Sequence, residues 1–77
     1  MISYMKTLRF VVCIDNSGYP ASLELRKIYE ALADPEAEKH DQVRVVDESG
    51  EDYLYPASSF IAIHLPKSVE DAIAKAA

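Results

Sequence analysis

Four acidic residues crowd into one six-residue segment, "DESGED", and carboxylates at that density could bind a cation. Asp47, Glu48, Glu51 and Asp52 lie on either side of Gly50. A calcium loop needs oxygen ligands at alternate positions that converge on one point, with a bidentate acid further along. This segment is too short for that arrangement, and its two acidic pairs would point along opposite strands. We therefore interpret it as a solvated hairpin tip, with weak cation binding as the alternative.

The other polar residues offer little for catalysis. His40 and His64 have no second ligand at metal-binding spacing, and we interpret His64 as a packed or surface residue of a strand. Ser58 and Ser59 follow a proline, in a turn where hydroxyl groups bond to nearby backbone groups. The two glycines cannot form a phosphate-binding loop. The sequence therefore predicts no catalytic residue, no metal site, no cofactor and no enzymatic activity.

The overall composition narrows the class of protein. The chain has 77 residues, enough for a single domain over residues 1–77, and its net charge is −5. Nucleic-acid binding depends mainly on neutralising phosphates, so it is disfavoured, and an anionic membrane would repel the chain as well. The longest apolar run, "FVVCI", is far too short for a membrane span or a signal peptide. We expect a cytoplasmic protein in which Cys13, the single cysteine, is a buried apolar residue.

Short β-rich runs separated by turn residues dominate the chain. The predicted elements are a strand over Leu8–Ile14, a loop over Asp15–Pro20, a hairpin formed by 43–46 and 53–55, a strand over Phe60–Leu65 and a helix over about 66–76. Residues 1–6 are expected to be a loose arm or an extension of the first strand. Pro56 has no amide proton, so we expect the segment "PASSF" to interrupt the strand ladder and turn a corner.

The segment 23–33 is open to two interpretations. Its propensities and the spacing of its apolar residues favour a helix, which Pro35 would end. The same residues also alternate as in a strand, with a break in the alternation at Arg26–Lys27 that is typical of a tight turn or a bulge. Because short strands surround this segment, we predict a strand that follows a turn. A helix over 23–33, in an α+β protein, is the alternative.

Three segments resemble the SH3-like small barrels, and together they cover about residues 8–65. "LELRKIYEAL" is similar to the stretch that closes the long first loop of that family with a diverging turn. "VRVVDESGEDYLYP" is similar to the central hairpin, and "YLYPASSFIAI" to the closing segment, in which proline begins a single 3₁₀ turn. The resemblance implies a mainly β fold: a small five-stranded barrel over about 8–65 with a short C-terminal α-helix.

The chain also departs from that family. Arg26 stands where the diverging turn usually has glycine, and the tryptophan of the peptide-binding groove is missing, since the chain contains none. The resemblance carries over only Pro56 and Phe60 from the positions that hold proline-rich peptides, with Tyr19 as a substitute for one groove tyrosine. It therefore implies a barrel more strongly than it implies a proline-rich ligand.

The aromatic residues near the acidic tip are the best candidates for a binding surface. Tyr53 and Tyr55 share one face of a strand and Leu54 takes the other, so both tyrosines point outward if Leu54 packs in the core. In the alternative, the tyrosines cover the second face of the barrel or the C-terminal helix. The predicted contact face comprises Tyr19, Tyr53, Tyr55, Pro56 and Phe60.

The sequence therefore predicts a non-catalytic interaction or regulatory module. Its expected partner is a protein with basic and apolar character, which the acidic tip would attract. A homodimer is a further expectation, because the C-terminal helix is too short to be stable alone and must pack on its own barrel or on a second copy. The alternatives are a small barrel associated with nucleic acid and the α+β regulator described above.

Overall fold

A computed structural model gives the structure of residues 7–76, which form one antiparallel sheet and two helices. The elements in chain order are β1 (Thr7–Cys13), β2 (Ile28–Leu32), α1 (Pro35–Glu38), β3 (Gln42–Val46), β4 (Asp52–Pro56), a 3₁₀ turn (Ala57–Ser59), β5 (Phe60–Ile63) and α2 (Lys67–Ala76). The strands lie in the order β4-β3-β2-β1-β5. The mainly β class, with five antiparallel strands and a short C-terminal helix, is confirmed. The predicted arm over residues 1–6 lies outside the described residues.

The segment 23–33 forms a turn and then β2, so the strand prediction is confirmed and the helix alternative is wrong. Arg26 adopts the left-handed conformation with φ 64°. Its N–H donates to the carbonyl of Cys13 (2.7 Å), and the N–H of Cys13 donates to the carbonyl of Lys27 (3.0 Å). Leu23, 1% exposed, packs in the core beside this turn. Pairing with β1 and burial of Leu23 therefore outweigh the local preference for a helix.

The core lies on one face of the curved sheet. Phe60 of β5 is 6.2 Å from Tyr55 of β4, between ring centroids, although these two strands form opposite edges of the sheet. This curvature is compatible with a barrel-like fold. Cys13 is fully buried, as predicted. The buried cluster consists of Val11, Cys13, Leu23, Tyr29, Ala31, Val43, Val45, Tyr55 and Phe60.

The side of β4 that carries Tyr53 and Tyr55 faces the core, which is the reverse of the arrangement in which both tyrosines point outward. Tyr55 pairs with Val43, and Tyr53 pairs with Val45. Both valines are buried, so the tyrosine side of β4 faces the core, where Tyr55 is only 4% exposed. Leu54 takes the other side and is 39% exposed. Tyr53 lies at the start of β4, close to the hairpin tip, and is 49% exposed.

Local chemistry explains the other connections. Asp34 caps α1, since its side chain accepts a hydrogen bond from the N–H of Ala37, and proline follows it at the first helical position. Pro56 ends β4 and leads into the predicted corner, a single 3₁₀ turn. The turn brings the chain directly into β5, which pairs with β1. The predicted corner is therefore confirmed, and it connects the two edges of the sheet.

Candidate functional site

The hairpin tip, residues 47–51, is less solvated than the sequence suggested. Asp47 is 6% exposed. Its Oδ1 accepts hydrogen bonds from the N–H (2.8 Å) and hydroxyl (2.5 Å) of Ser49, and its Oδ2 accepts one from the hydroxyl of Tyr55 (2.5 Å). Burial raises the pKa of Asp47, but these hydrogen bonds outweigh burial and hold the pKa below its usual range. Asp47 is therefore a buried carboxylate that stays ionised at neutral pH.

Glu48 connects the hairpin tip by hydrogen bonds to the loop before β2 and to β2 itself. Its Oε2 accepts hydrogen bonds from the hydroxyl of Tyr29 and from Nζ of Lys27 (2.6 Å), and its N–H donates to the carbonyl of Ser22 (3.0 Å). The Tyr29 hydroxyl also accepts a bond from the N–H of Glu24 (2.7 Å). The hydrogen bond from Lys27, and then that from Tyr29, lowers the pKa of Glu48. Burial, aided by the bond to Glu48, raises the pKa of Tyr29.

Tyr53 makes a similar tyrosine–carboxylate hydrogen bond at the protein surface. The hydroxyl of Tyr53 donates to Oε1 of Glu51 (2.8 Å), and both side chains are exposed. This hydrogen bond raises the pKa of Tyr53. Each of three tyrosines thus donates to a different acid of the tip. The acidic tip is consequently a structural part of the sheet, and its inner carboxylates are not arranged as a free cation-binding loop.

A groove lies between the tip, β4 and the long loop that joins β1 to β2. Its volume is about 370 Å³, and the side chains around it include those of Tyr19, Asp47, Ser49, Tyr53, Leu54 and Tyr55. Tyr19 packs edge-to-face on Tyr55, with 4.9 Å between ring centroids. Tyr19, Tyr53 and Leu54 are all substantially exposed. We call this site the aromatic groove. It has apolar walls and a buried, ionised carboxylate.

The structure brings together only part of the predicted contact face. Tyr19 and Tyr53 line the aromatic groove with exposed rings, and Tyr55 forms its buried base. Pro56 is exposed at the end of β4 but does not line the groove. Phe60 is 9% exposed, with its ring against those of Tyr29 and Tyr55, so its expected place on an open face is wrong. Binding of a partner by this set stays a prediction.

Leu54 and Asp47 are groove residues that the predicted contact face does not include. Leu54 was assigned to the core in the arrangement that leaves both tyrosines exposed, and Asp47 was interpreted as solvated. The alternation of "DYLYP" separates the two faces of the strand but does not identify the buried one. The sequence signal for Asp47 was its position two residues before Ser49, the spacing of an Asx turn.

A second cleft lies on the other side of the tip. It measures about 420 Å³, and its walls include Lys27, Ile28, Glu48 and Gly50, with Ile73 contributed by α2. Within residues 7–76, no three His, Cys, Asp or Glu side chains are grouped so that they could hold a metal ion. Over the same residues, no helix is long and apolar enough to cross a membrane.

Comparisons with protein-family models, with curated proteins and with solved structures give no match for this chain. The aromatic groove and its chemistry are therefore the main indication of function.

Proposed function

We propose that this chain is a non-catalytic protein-interaction module with an SH3-like architecture. Two local features support the SH3-like part of the proposal. The long loop after β1 is closed by a tight turn at Arg26, and a single 3₁₀ turn after Pro56 leads into the last strand. Both occur at the positions that the resemblance implies.

The grouping of exposed apolar side chains carries the proposal. Tyr19, Tyr53 and Leu54 are 39%, 49% and 39% exposed, and all three lie around one groove. Single exposed apolar residues are normal on a protein surface, but a concave group of them is typical of a binding site. Tyrosine is also among the residues that contribute most to binding energy at protein interfaces. The groove fits an apolar or aromatic side chain of a partner's peptide segment.

The negative charge around the groove indicates which kind of partner it would bind. Among residues 7–76, the acid Asp47 lines the groove and no lysine or arginine does. Glu51, on the tip, adds an exposed carboxylate beside Tyr53. With a net charge of −5, the chain attracts basic partners and repels acidic ones. The proposed ligand is therefore an apolar segment with a neighbouring lysine or arginine, bound less tightly at high salt.

A polyproline helix is not the proposed ligand. Recognition of polyproline depends on several parallel aromatic walls. Of the four aromatic side chains in the predicted contact face, those of Tyr19 and Tyr53 are open to a ligand, whereas Tyr55 and Phe60 are buried; the chain has no tryptophan.

Selection of peptides from a random heptapeptide library, followed by NMR titration of the ¹⁵N-labelled protein, tests the proposal. We expect the strongest selected peptide to shift the backbone amides of Tyr19, Tyr53 and Leu54. Tyr53→Ala should weaken its binding by about tenfold or more, since truncation of a central interface tyrosine costs more than about 1.4 kcal/mol. Ile14→Ala is the matched control, because Ile14 is 47% exposed and lies outside the groove.

Two results would contradict the proposal. One is a selected peptide whose shifts map to another surface. The other is binding that Tyr53→Ala leaves unchanged, or that Ile14→Ala weakens equally.

A further inference from the structure

An apolar row crosses the outer face of the sheet, on the side away from the core. Val12 pairs with Ile28 on one side and with Ile61 on the other. Ile28 is 38% exposed and Ile61 is 54% exposed, whereas Val11 and Cys13, which point to the other face of β1, are buried. Three β-branched side chains from three adjacent strands therefore lie side by side, and two of them are open to solvent.

The C-terminal helix extends this row. Ile73 of α2 borders the same cleft as Ile28, so the helix lies beside the outer face of the sheet. Val69 precedes Ile73 by one helical turn, shares its helix face and is 41% exposed. We call the set Val12, Ile28, Ile61, Val69 and Ile73 the outer apolar patch. Monomeric proteins rarely expose contiguous apolar patches larger than a few hundred Å² unless a partner covers them.

Among the strands formed by residues 7–76, none pairs with the outer side of β5, the edge strand beside this patch. β5 is an edge strand, and its sequence "FIAI" contains no charge and no proline. The N–H of Ile14 donates to the carbonyl of Ser59 (2.8 Å), and hydrogen bonding alternates along an antiparallel pair. Ile61 and Ile63 consequently bond to β1, and Ala62 directs its backbone N–H and C=O away from the sheet. Natural edge strands usually carry charges, prolines or bulges that prevent such pairing.

Charge distinguishes this edge from the other one. From Pro56 to the end, the chain carries two lysines and two acids and is neutral, so residues 1–55 carry the whole net charge of −5. The opposite edge strand, β4, begins with Asp52 beside the acidic tip. A second copy of the chain therefore meets no like-charge repulsion at β5, whereas two copies would repel each other at β4.

We propose that a second copy of this chain pairs with β5 in antiparallel orientation, giving a two-fold symmetric homodimer in which Ile61 lies at the interface and the outer apolar patches of the two copies lie side by side. Antiparallel pairing of two identical strands is self-complementary, as a two-fold interface requires. The pairing involves one strand of only four residues, so the dimer is weak and depends on concentration. The aromatic groove, on β4 and the tip, stays free in this dimer.

Sedimentation equilibrium and light scattering of the purified chain, from about 1 µM to 1 mM, test the proposal. We expect the average mass to rise from one chain towards two over this range. Ile61→Lys places a charge on the β5 edge and should weaken the dimer by about tenfold or more. Leu54→Lys is the matched control, since it adds the same charge at an exposed leucine of the other edge strand and should leave the dimer intact. Circular dichroism confirms that both variants fold.

Amide hydrogen exchange supplies an independent readout. Exchange at Ala62 should slow as the protein concentration rises, because pairing with a second copy covers its N–H. A mass of one chain throughout the range would overturn the proposal. It would also be overturned if Leu54→Lys disrupted the dimer as much as Ile61→Lys, or if exchange at Ala62 did not depend on concentration.

Discussion

The hydroxyl of Tyr55 offers the most direct test of how the tip is held. Tyr55→Phe removes only the oxygen that donates to Asp47 Oδ2 at 2.5 Å. The ring stays in place, so its edge-to-face contacts with Tyr19 and Phe60 are kept and no cavity opens. The substitution therefore removes the hydrogen bond to the buried carboxylate of Asp47 and the weaker hydrogen-bond contact of the same hydroxyl with Ser22, and it leaves the ring packing unchanged.

The expected loss follows from the burial of Asp47. A hydrogen bond to a charged group contributes about 1.5–3 kcal/mol. Asp47 is only 6% exposed, so water replaces the lost donor poorly, and we expect the free energy of unfolding to fall by about 2 kcal/mol. A domain of this length has a total stability of about 4–11 kcal/mol. The loss should lower the melting temperature by about 8–16 °C.

Urea unfolding followed by circular dichroism measures this loss. The free energy of unfolding decreases by about 1 kcal/mol per M urea, so the midpoint of unfolding should fall by about 2 M. An unchanged dependence of this free energy on urea would show that the unfolding transition itself is the same. Tyr53→Phe is the control. Tyr53 lies two residues earlier on the same strand face and donates to Glu51 at 2.8 Å, but both side chains are exposed, so water can replace the lost bond. The Tyr53→Phe midpoint should equal that of the unmodified chain.

Two outcomes would refute the reasoning. If Tyr55→Phe unfolds at the same urea concentration as the unmodified chain, the bond to Asp47 does not stabilise the fold. If Tyr55→Phe and Tyr53→Phe lose stability equally, burial does not determine the strength of these tyrosine–carboxylate bonds. A double-mutant cycle with Asp47→Asn then shows whether the effect passes through Asp47, since contacting residues couple by about 0.5–3 kcal/mol.

Two further predictions concern backbone strain and pH. Arg26→Gly should stabilise the protein by about 1 kcal/mol, because glycine adopts the left-handed conformation without the steric cost that arginine bears. Arg26→Ala should not stabilise the protein, because alanine bears the same steric cost. Equal urea midpoints for the two variants would contradict this explanation. Asp47 and Glu48 have lowered pKa values in the folded protein, so their contribution to stability is complete above the unfolded pKa of about 4 and is lost as the pH falls through the folded pKa. Burial, with the bond to Asp47, raises the pKa of Tyr55 to about 12, so its contribution is complete below about pH 10 and is lost between about pH 10 and 12. Urea midpoints measured from pH 2 to 12 should therefore fall at both ends, and a midpoint that stays constant in acid or in alkali would contradict the corresponding assignment.

Elements set by one or two residues could be predicted from the sequence. Pro56 has no amide hydrogen, so it ends a ladder wherever it occurs, and the corner after it was correctly placed. Gly50, with φ 83°, supplies the left-handed residue of the hairpin tip. The apolar run around Cys13 is too short for a helix of its own and forms β1, an interior strand that pairs with β2 and β5.

Elements whose conformation depends on contacts with residues far away in the sequence could not be predicted from the local sequence alone. The segment 23–33 has helical propensity, and its strand is stabilised by pairing with β1 and by burial of Leu23. Which face of β4 is buried depends on which face of its partner strand β3 is buried. The identities of Tyr55 and Leu54 do not show this by themselves. For the same reason, sequence reasoning found two of the exposed groove side chains, Tyr19 and Tyr53, but missed Leu54.

The sequence by itself determined the hairpin with its tip, the corner after Pro56 and the acidic charge of the protein. These properties follow from single residues and their immediate neighbours. Only the tertiary structure decided that Asp47 is buried under Tyr55 and that Glu48 is bound to Tyr29, 19 positions away. The physical reason is that the exposure of a carboxylate, and hence its pKa and its capacity to bind, depends on the groups that folding brings around it.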